Sequence, residues 1–149
     1  TDVAEQHPAI SPDGRWVAYT GRESGRAEIY VRPFPNVDEG RTIVSQGGGN
    51  EPLWSHDGTE LFYWADESRS MMAVPVTLEP TFKPGVPVQL FGGDYLFPQA
   101  GRHYDVSRDG QRFLMLKPNT GTGDASVGSP QIVFVQTWIE ELKMRVPTD

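Results

Sequence analysis

His7, Glu51 and His103 are the residues of this 149-residue chain whose types and spacing come nearest to a chemical site. Each stands four residues ahead of a serine: Ser11, Ser55 and Ser107 in turn. If the three segments are copies of one unit set around an axis, two imidazoles and a carboxylate face a common channel. Such a set can ligate a metal or bind an anion. Three groups are a thin ligand set, however, and solvated channel side chains are the weightier account. No metal and no cofactor are assigned; the three residues stand as candidate ligand-binding positions of a channel.

Nucleophilic chemistry has less support. The three serines open the phrases Ser11-Pro12-Asp13-Gly14, Ser55-His56-Asp57-Gly58 and Ser107-Arg108-Asp109-Gly110. An Asp-Gly pair is a tight-turn signal, because glycine takes the positive φ that such turns need. Ser and Asp side chains bond to nearby backbone N–H groups and hold the turn. A phrase that recurs three times is therefore read as architecture, and none of the serines sits on a strand-to-helix elbow. The remaining carboxylate pairs are placed just as plainly. Glu140 and Glu141 fall on the polar side of a predicted helix, Asp66 and Glu67 in a hairpin loop, and Asp105 and Asp109 beside a turn. The chain is not expected to be an enzyme.

The elements that position these residues follow from the repeat. Its serines lie 44 (55−11) and 52 (107−55) residues apart. That period marks a stacked or radial array of one small unit. A short strand precedes each phrase, beginning at His7, Glu51 and His103. A continuous apolar run follows it: Trp16-Val17-Ala18-Tyr19, Leu61-Phe62-Tyr63-Trp64 and Phe113-Leu114-Met115-Leu116. Continuous apolarity predicts strands buried on both faces. Third strands are predicted at 28–32, 71–76 and 131–135, and fourth strands at 41–45 and 86–91. Four antiparallel strands in 40 to 50 residues make one propeller blade. The expected fold is all-β, a propeller segment of three four-stranded blades covering about 6–46, 50–92 and 102–137. A tail, 138–149, holds a predicted short helix, with Trp138, Leu142 and Arg145 at i, i+4, i+7 and a stop before Pro147. Residues 1–5 are a candidate closure strand.

Composition narrows the partners. The net charge is −7, with 13 scattered basic residues, which argues against nucleic acid and against anionic membrane surfaces. Cysteine is absent, so there is no disulfide or thiolate site, and the compartment is left open. The longest apolar runs are about four residues, such as Ile132-Val133-Phe134-Val135, far short of a bilayer span. Sixteen glycines and thirteen prolines suit short strands and turns, not long helices. A first residue of Thr1 reads as a processed or excised piece.

The phrase His7-Pro-Ala-Ile-Ser-Pro-Asp-Gly-Arg-Trp-Val-Ala-Tyr, with Glu28-Ile-Tyr-Val-Arg-Pro-Phe, resembles the WD40-like (PD40) repeat of TolB-type β-propellers. From Tyr104-Asp105-Val106-Ser107 to Val146-Pro147 the chain resembles the final blades of bacterial proteins that join a Ser/Thr kinase to an extracytoplasmic propeller. The resemblance implies protein, peptide or ligand recognition, with a periplasmic or extracytoplasmic location. It also admits an accessory or sensor propeller of a kinase or peptidase whose catalytic domain lies elsewhere. The chain itself has no His-Arg-Asp, Asp-Phe-Gly or Gly-x-Ser-x-Gly signature. It departs from the repeat at His56 and Arg108, where the family has proline, without touching the Asp-Gly turn. Three blades are fewer than closed propellers use, so a homodimer closing a six-bladed ring is expected. The surfaces expected to make contacts are the loops 22–26, 66–70, 94–102 and 119–130. Within 94–102, Tyr95-Leu96-Phe97-Pro98 is either a partner anchor or a patch tucked under a blade.

Overall fold

The computed structural model describes residues 5–97, 101–118 and 131–136. Among them the secondary structure consists of antiparallel strands, with no helix. The chain divides into two compact units, Thr1–Gly92 and Gly93–Asp149.

Unit 1 holds two sheets. The first runs in chain order through β1 (Gln6–Ile10), β2 (Trp16–Gly21), β3 (Glu28–Pro33) and β4 (Thr42–Ile43). The predicted fourth strand shrinks to two residues because Ser45 leaves the ladder. Its Oγ accepts the Ile29 N–H at 2.8 Å, a bond a backbone carbonyl would otherwise make. The second sheet runs through β5 (Asn50–Trp54), β6 (Glu60–Ala65), β7 (Ser70–Thr77) and β8 (Lys83–Pro84), and β9 (Val88–Gly92) also pairs with β7. This sheet has five strands, not the expected four. β7 is eight residues long, enough to hold two short partners end to end: β9 along Ser70–Ala73 and β8 along Val76–Thr77.

The core of unit 1 lies between its sheets. Ala18, Ile29 and Val31 of the first pack with Trp54, Leu61, Tyr63 and Val74 of the second and with Phe82 of the β7–β8 connection. Phe82 bridges two indoles, 5.5 Å from Trp16 and edge-on at 6.1 Å from Trp54. The indole N–H of Trp54 donates to the Ala9 carbonyl at 2.9 Å, so the large ring is buried with its one polar atom satisfied. β6 is buried along nearly its whole length, as its unbroken run Leu61-Phe62-Tyr63-Trp64 demands.

Unit 2 contains β10 (Tyr104–Val106), β11 (Arg112–Lys117) and β12 (Gln131–Gln136) in that order. Here the expectation of a strand buried on both faces fails. Burial along β11 alternates: Phe113 and Met115 are enclosed, while Leu114 and Leu116 are only half-buried. On β12, Ile132 and Phe134 are exposed. The sequence supplies two apolar faces and one of them is open. The predicted tail helix, residues 1–4 of the closure strand and the 119–130 loop lie outside the described residues; Glu5 is not in a strand.

Candidate functional site

Each blade has two ends, and the repeat phrase builds one of them. In the first turn the Ser11 hydroxyl donates to Asp13 Oδ1 at 2.5 Å, and the Arg15 N–H donates to the same oxygen at 3.1 Å. The Trp16 N–H donates to Ser11 Oγ at 3.0 Å, and the Gly14 N–H closes the turn on the Ser11 carbonyl at 2.8 Å. The second turn repeats every bond, with Ser55 to Asp57 at 2.7 Å, Thr59 N–H at 3.1 Å and Glu60 N–H at 2.9 Å. So does the third, with Ser107 to Asp109 at 2.5 Å, Gln111 N–H at 3.0 Å and Arg112 N–H at 3.0 Å. Gly14, Gly58 and Gly110 take φ of 72°, 73° and 69°, where a side chain would be strained. The Ser55 hydroxyl and the Thr59 backbone N–H hold the Asp57 carboxyl below the usual aspartate range. Ser107 and Gln111 do the same for Asp109. These hydroxyls are committed to local bonds.

The opposite end is built differently. β1 and β5 start with the same defect: Gln6 pairs with Thr20 and Ala9 with Ala18, while Asn50 pairs with Trp64 and Leu53 with Phe62. Each first strand therefore carries one extra residue, a β-bulge, and the bulge includes His7 or Glu51. Both residues have left-handed backbones, φ 53° and 55°. That conformation costs a non-glycine residue about 1–2 kcal/mol, so the sheet imposes it. Two of the three positions singled out by spacing thus share a backbone geometry. They differ in side chain: His7 is half-buried, and its enclosed Nδ1 has no hydrogen-bond partner among the described residues. Glu51 is buried, and its backbone N–H donates to Thr20 Oγ1 at 3.1 Å.

Asp66 completes this end of unit 1, and the sequence had placed it only in a loop. Its carboxylate accepts from the Asn50 side-chain amide. Partial burial of the carboxyl pushes its pKa above the ordinary aspartate value; Asn50 lowers it, the Glu51 charge raises it and Arg22 lowers it. Asn50, Glu51, Asp66 and Arg22 therefore share one electrostatic neighbourhood at the bulged strand start. A linear signal for it existed in the 44-residue offset of β5 from β1, but nothing in the sequence tied the next hairpin to that position. The frame behind these groups is rigid. Buried Glu28 accepts from the Ser45 hydroxyl, from Arg26 Nε–H at 2.5 Å and from the Gly48 N–H at 3.1 Å, pinning the chain as it passes between sheets.

His103 belongs to unit 2. It is buried there, edge-on to Phe97 at 6.0 Å, and is not among the positive-φ residues. The Leu96 N–H donates to the Leu116 carbonyl at 2.8 Å, so the Tyr95-Leu96-Phe97 patch is tied to β11 and half-buried. Among the described residues no group of three or more His, Asp or Glu is disposed to hold a metal ion. Among them, too, no helix is long and apolar enough to cross a membrane.

The chain is an all-β segment with a TolB-like propeller fold. It superimposes on TolB from Acinetobacter baumannii with a TM-score of 0.60 at 16% identity, covering 88% of this chain and 29% of that one. An oligogalacturonate lyase from Vibrio parahaemolyticus gives 0.55 at 15% identity, covering 76% and 30%. An oligogalacturonate lyase in complex with manganese gives 0.55 at 14%, covering 87% and 40%. At such identities the likeness is one of fold alone, and the chain spans well under half the length of these structures. No protein-family model and no curated protein matches the chain.

Proposed function

We propose that the chain is a non-catalytic recognition module built from WD40-like (PD40) repeats, engaging a protein or peptide through the bulged end of its blades. The observation that carries this reading is the shared kink at His7 and Glu51: one strained backbone geometry carrying different side chains, one half-buried and one buried. Strain of this kind persists where the surrounding fold over-determines it, and it clusters at binding sites. The exposed Asp66 carboxylate, on a chain of net charge −7, favours a partner segment carrying Lys or Arg. Titration with a Lys/Arg-rich peptide at low salt tests it. Binding that weakens about tenfold in Asp66→Asn and His7→Ala supports the reading. Absence of binding, or binding that ignores both substitutions, overturns it.

A second reading is an accessory or sensor propeller for a Ser/Thr kinase or peptidase domain. It draws on the chain spanning 29–40% of the structures it resembles. A catalytic domain on the same reading frame supports it; a frame limited to blades removes it.

A further inference from the structure

Among the described residues, one sheet face in each unit carries exposed apolar side chains. In unit 1, the outer face of the first sheet carries Ile10 and Val17, which pair across β1 and β2, and Arg32, which pairs with Val17. Ile10 is 53% exposed and nearby Phe34 40%. A hollow of about 290 Å³ opens on this face, walled by Pro8, Val17, Tyr19, Phe34 and Val37 with Arg32 at its side. In unit 2, one face carries the cross-strand pairs Leu114–Phe134 and Leu116–Ile132, with Asp105 opposite Leu114. Phe134 is 68% exposed and Ile132 64%.

The repeat identifies what each face is built to meet. Shifted by 44 residues, Ile10, Val17 and Tyr19 fall on Trp54, Leu61 and Tyr63. Arg32 falls on Val74, since Val17 pairs with Arg32 and Leu61 with Val74. Shifted by 96 residues (44+52), Ala18 falls on Leu114. Through the strand pairing, Val31 then falls on Phe134 and Ile29 on Ile132. Inside unit 1 these two position sets are already packed on one another, Ala18, Ile29 and Val31 against Trp54, Leu61, Tyr63 and Val74. The two open faces are thus the separated halves of an interface that the chain forms once within itself.

We propose that the first sheet of unit 1 docks the unit 2 sheet of a second copy, head to tail. Each copy offers one face of each kind, so the contact is heterologous. It saturates only by closing into a ring of copies. The inference does not use His7, Glu51 or Asp66, although Pro8 of the first bulge walls the hollow.

The test is light scattering behind size exclusion on the full chain, over about a hundredfold range of concentration. The expected species has twice the 16.6 kDa chain mass. Ile10→Asp and Phe134→Asp each weaken association about tenfold or more, with circular dichroism unchanged because both side chains are exposed, and with melting unchanged at dilutions where every form is monomeric. An equimolar mixture of the two variants regains the pair, because it restores one intact contact. A monomer at every concentration overturns the proposal and assigns these faces to blades of a longer polypeptide. Association that ignores both substitutions overturns it, and so does association lost in one variant only.

Discussion

The two ends of a blade solve opposite problems with the same strands. At the Ser-x-Asp-Gly end, three turns repeat one bond pattern to within a few tenths of an ångström. The residues are the same and the geometry is the same. At the bulged end, the backbone repeats in β1 and β5, but the side chains on it are His7 in one and Glu51 in the other. Repetition of both backbone and side chain marks scaffold; repetition of backbone under changing side chains marks display. The electrostatics agree. Hydrogen bonds stabilise the charge on the turn aspartates Asp57 and Asp109, whereas burial and Glu51 disfavour the charge on Asp66.

The largest expected effect tests whether the display end rests on a rigid backbone. A methyl group added at Gly49 would lie 2.7 Å from the Tyr63 ring and 2.9 Å from Ile29, both buried. Gly49→Ala should destabilise by about 1–3 kcal/mol, the usual result of overpacking, read as a lower urea midpoint. A neutral result would mean that the strand starts are pliable and the contrast with the turns is weaker.

Next comes Ser55→Ala, which strands the Glu60 N–H and removes a donor to Asp57 in a site only 4% exposed. It should cost about 1–2 kcal/mol. Ser107→Ala makes the same change in a more exposed turn and should cost less. Equal losses would show that the bonds matter through turn geometry and not through burial.

His7→Gly sharpens the other side. It relieves a left-handed imidazole-bearing residue at the price of glycine's larger backbone entropy. The net gain should be about 0.5–1 kcal/mol, accompanied by weaker peptide binding. A loss of stability would place His7 with the scaffold.

The smallest effect is in pH dependence, and its sign differs between the ends. Asp57 and Asp109 titrate below ordinary aspartate, so their contribution is present above the unfolded pKa and is lost as pH falls through the folded one. Asp66 titrates above it, so its contribution is full below the unfolded pKa and is lost as pH rises through the folded one. In urea midpoints measured against pH, Asp57→Asn should flatten the acid limb. Asp66→Asn should remove the opposing slope at less acidic pH.

Much of the fold was legible before any coordinate. The all-β class and the order of strands follow from the repeat and from the apolar runs after each phrase, because strand pairing between chain neighbours needs only short turns. The side chains that hold those turns act within five residues, a range over which a linear phrase is enough. What the chain order could not show is any property that depends on which face meets what. β11 and β6 have like apolar runs, yet one is enclosed and the other half-open. Ser45 abandons its strand for a bond sixteen residues away.

The candidate site divides along the same line. Spacing alone put His7, Glu51 and His103 at one position of the repeat. Only the tertiary structure supplied the bulge, the left-handed backbones of the first two and the approach of Asp66 to Asn50. Local hydrogen bonds and the order of strands are written along the chain, since each depends on near neighbours. The charge environment of a carboxylate and the exposure of a sheet face depend on segments far apart in sequence, and only the folded packing of those segments decides them.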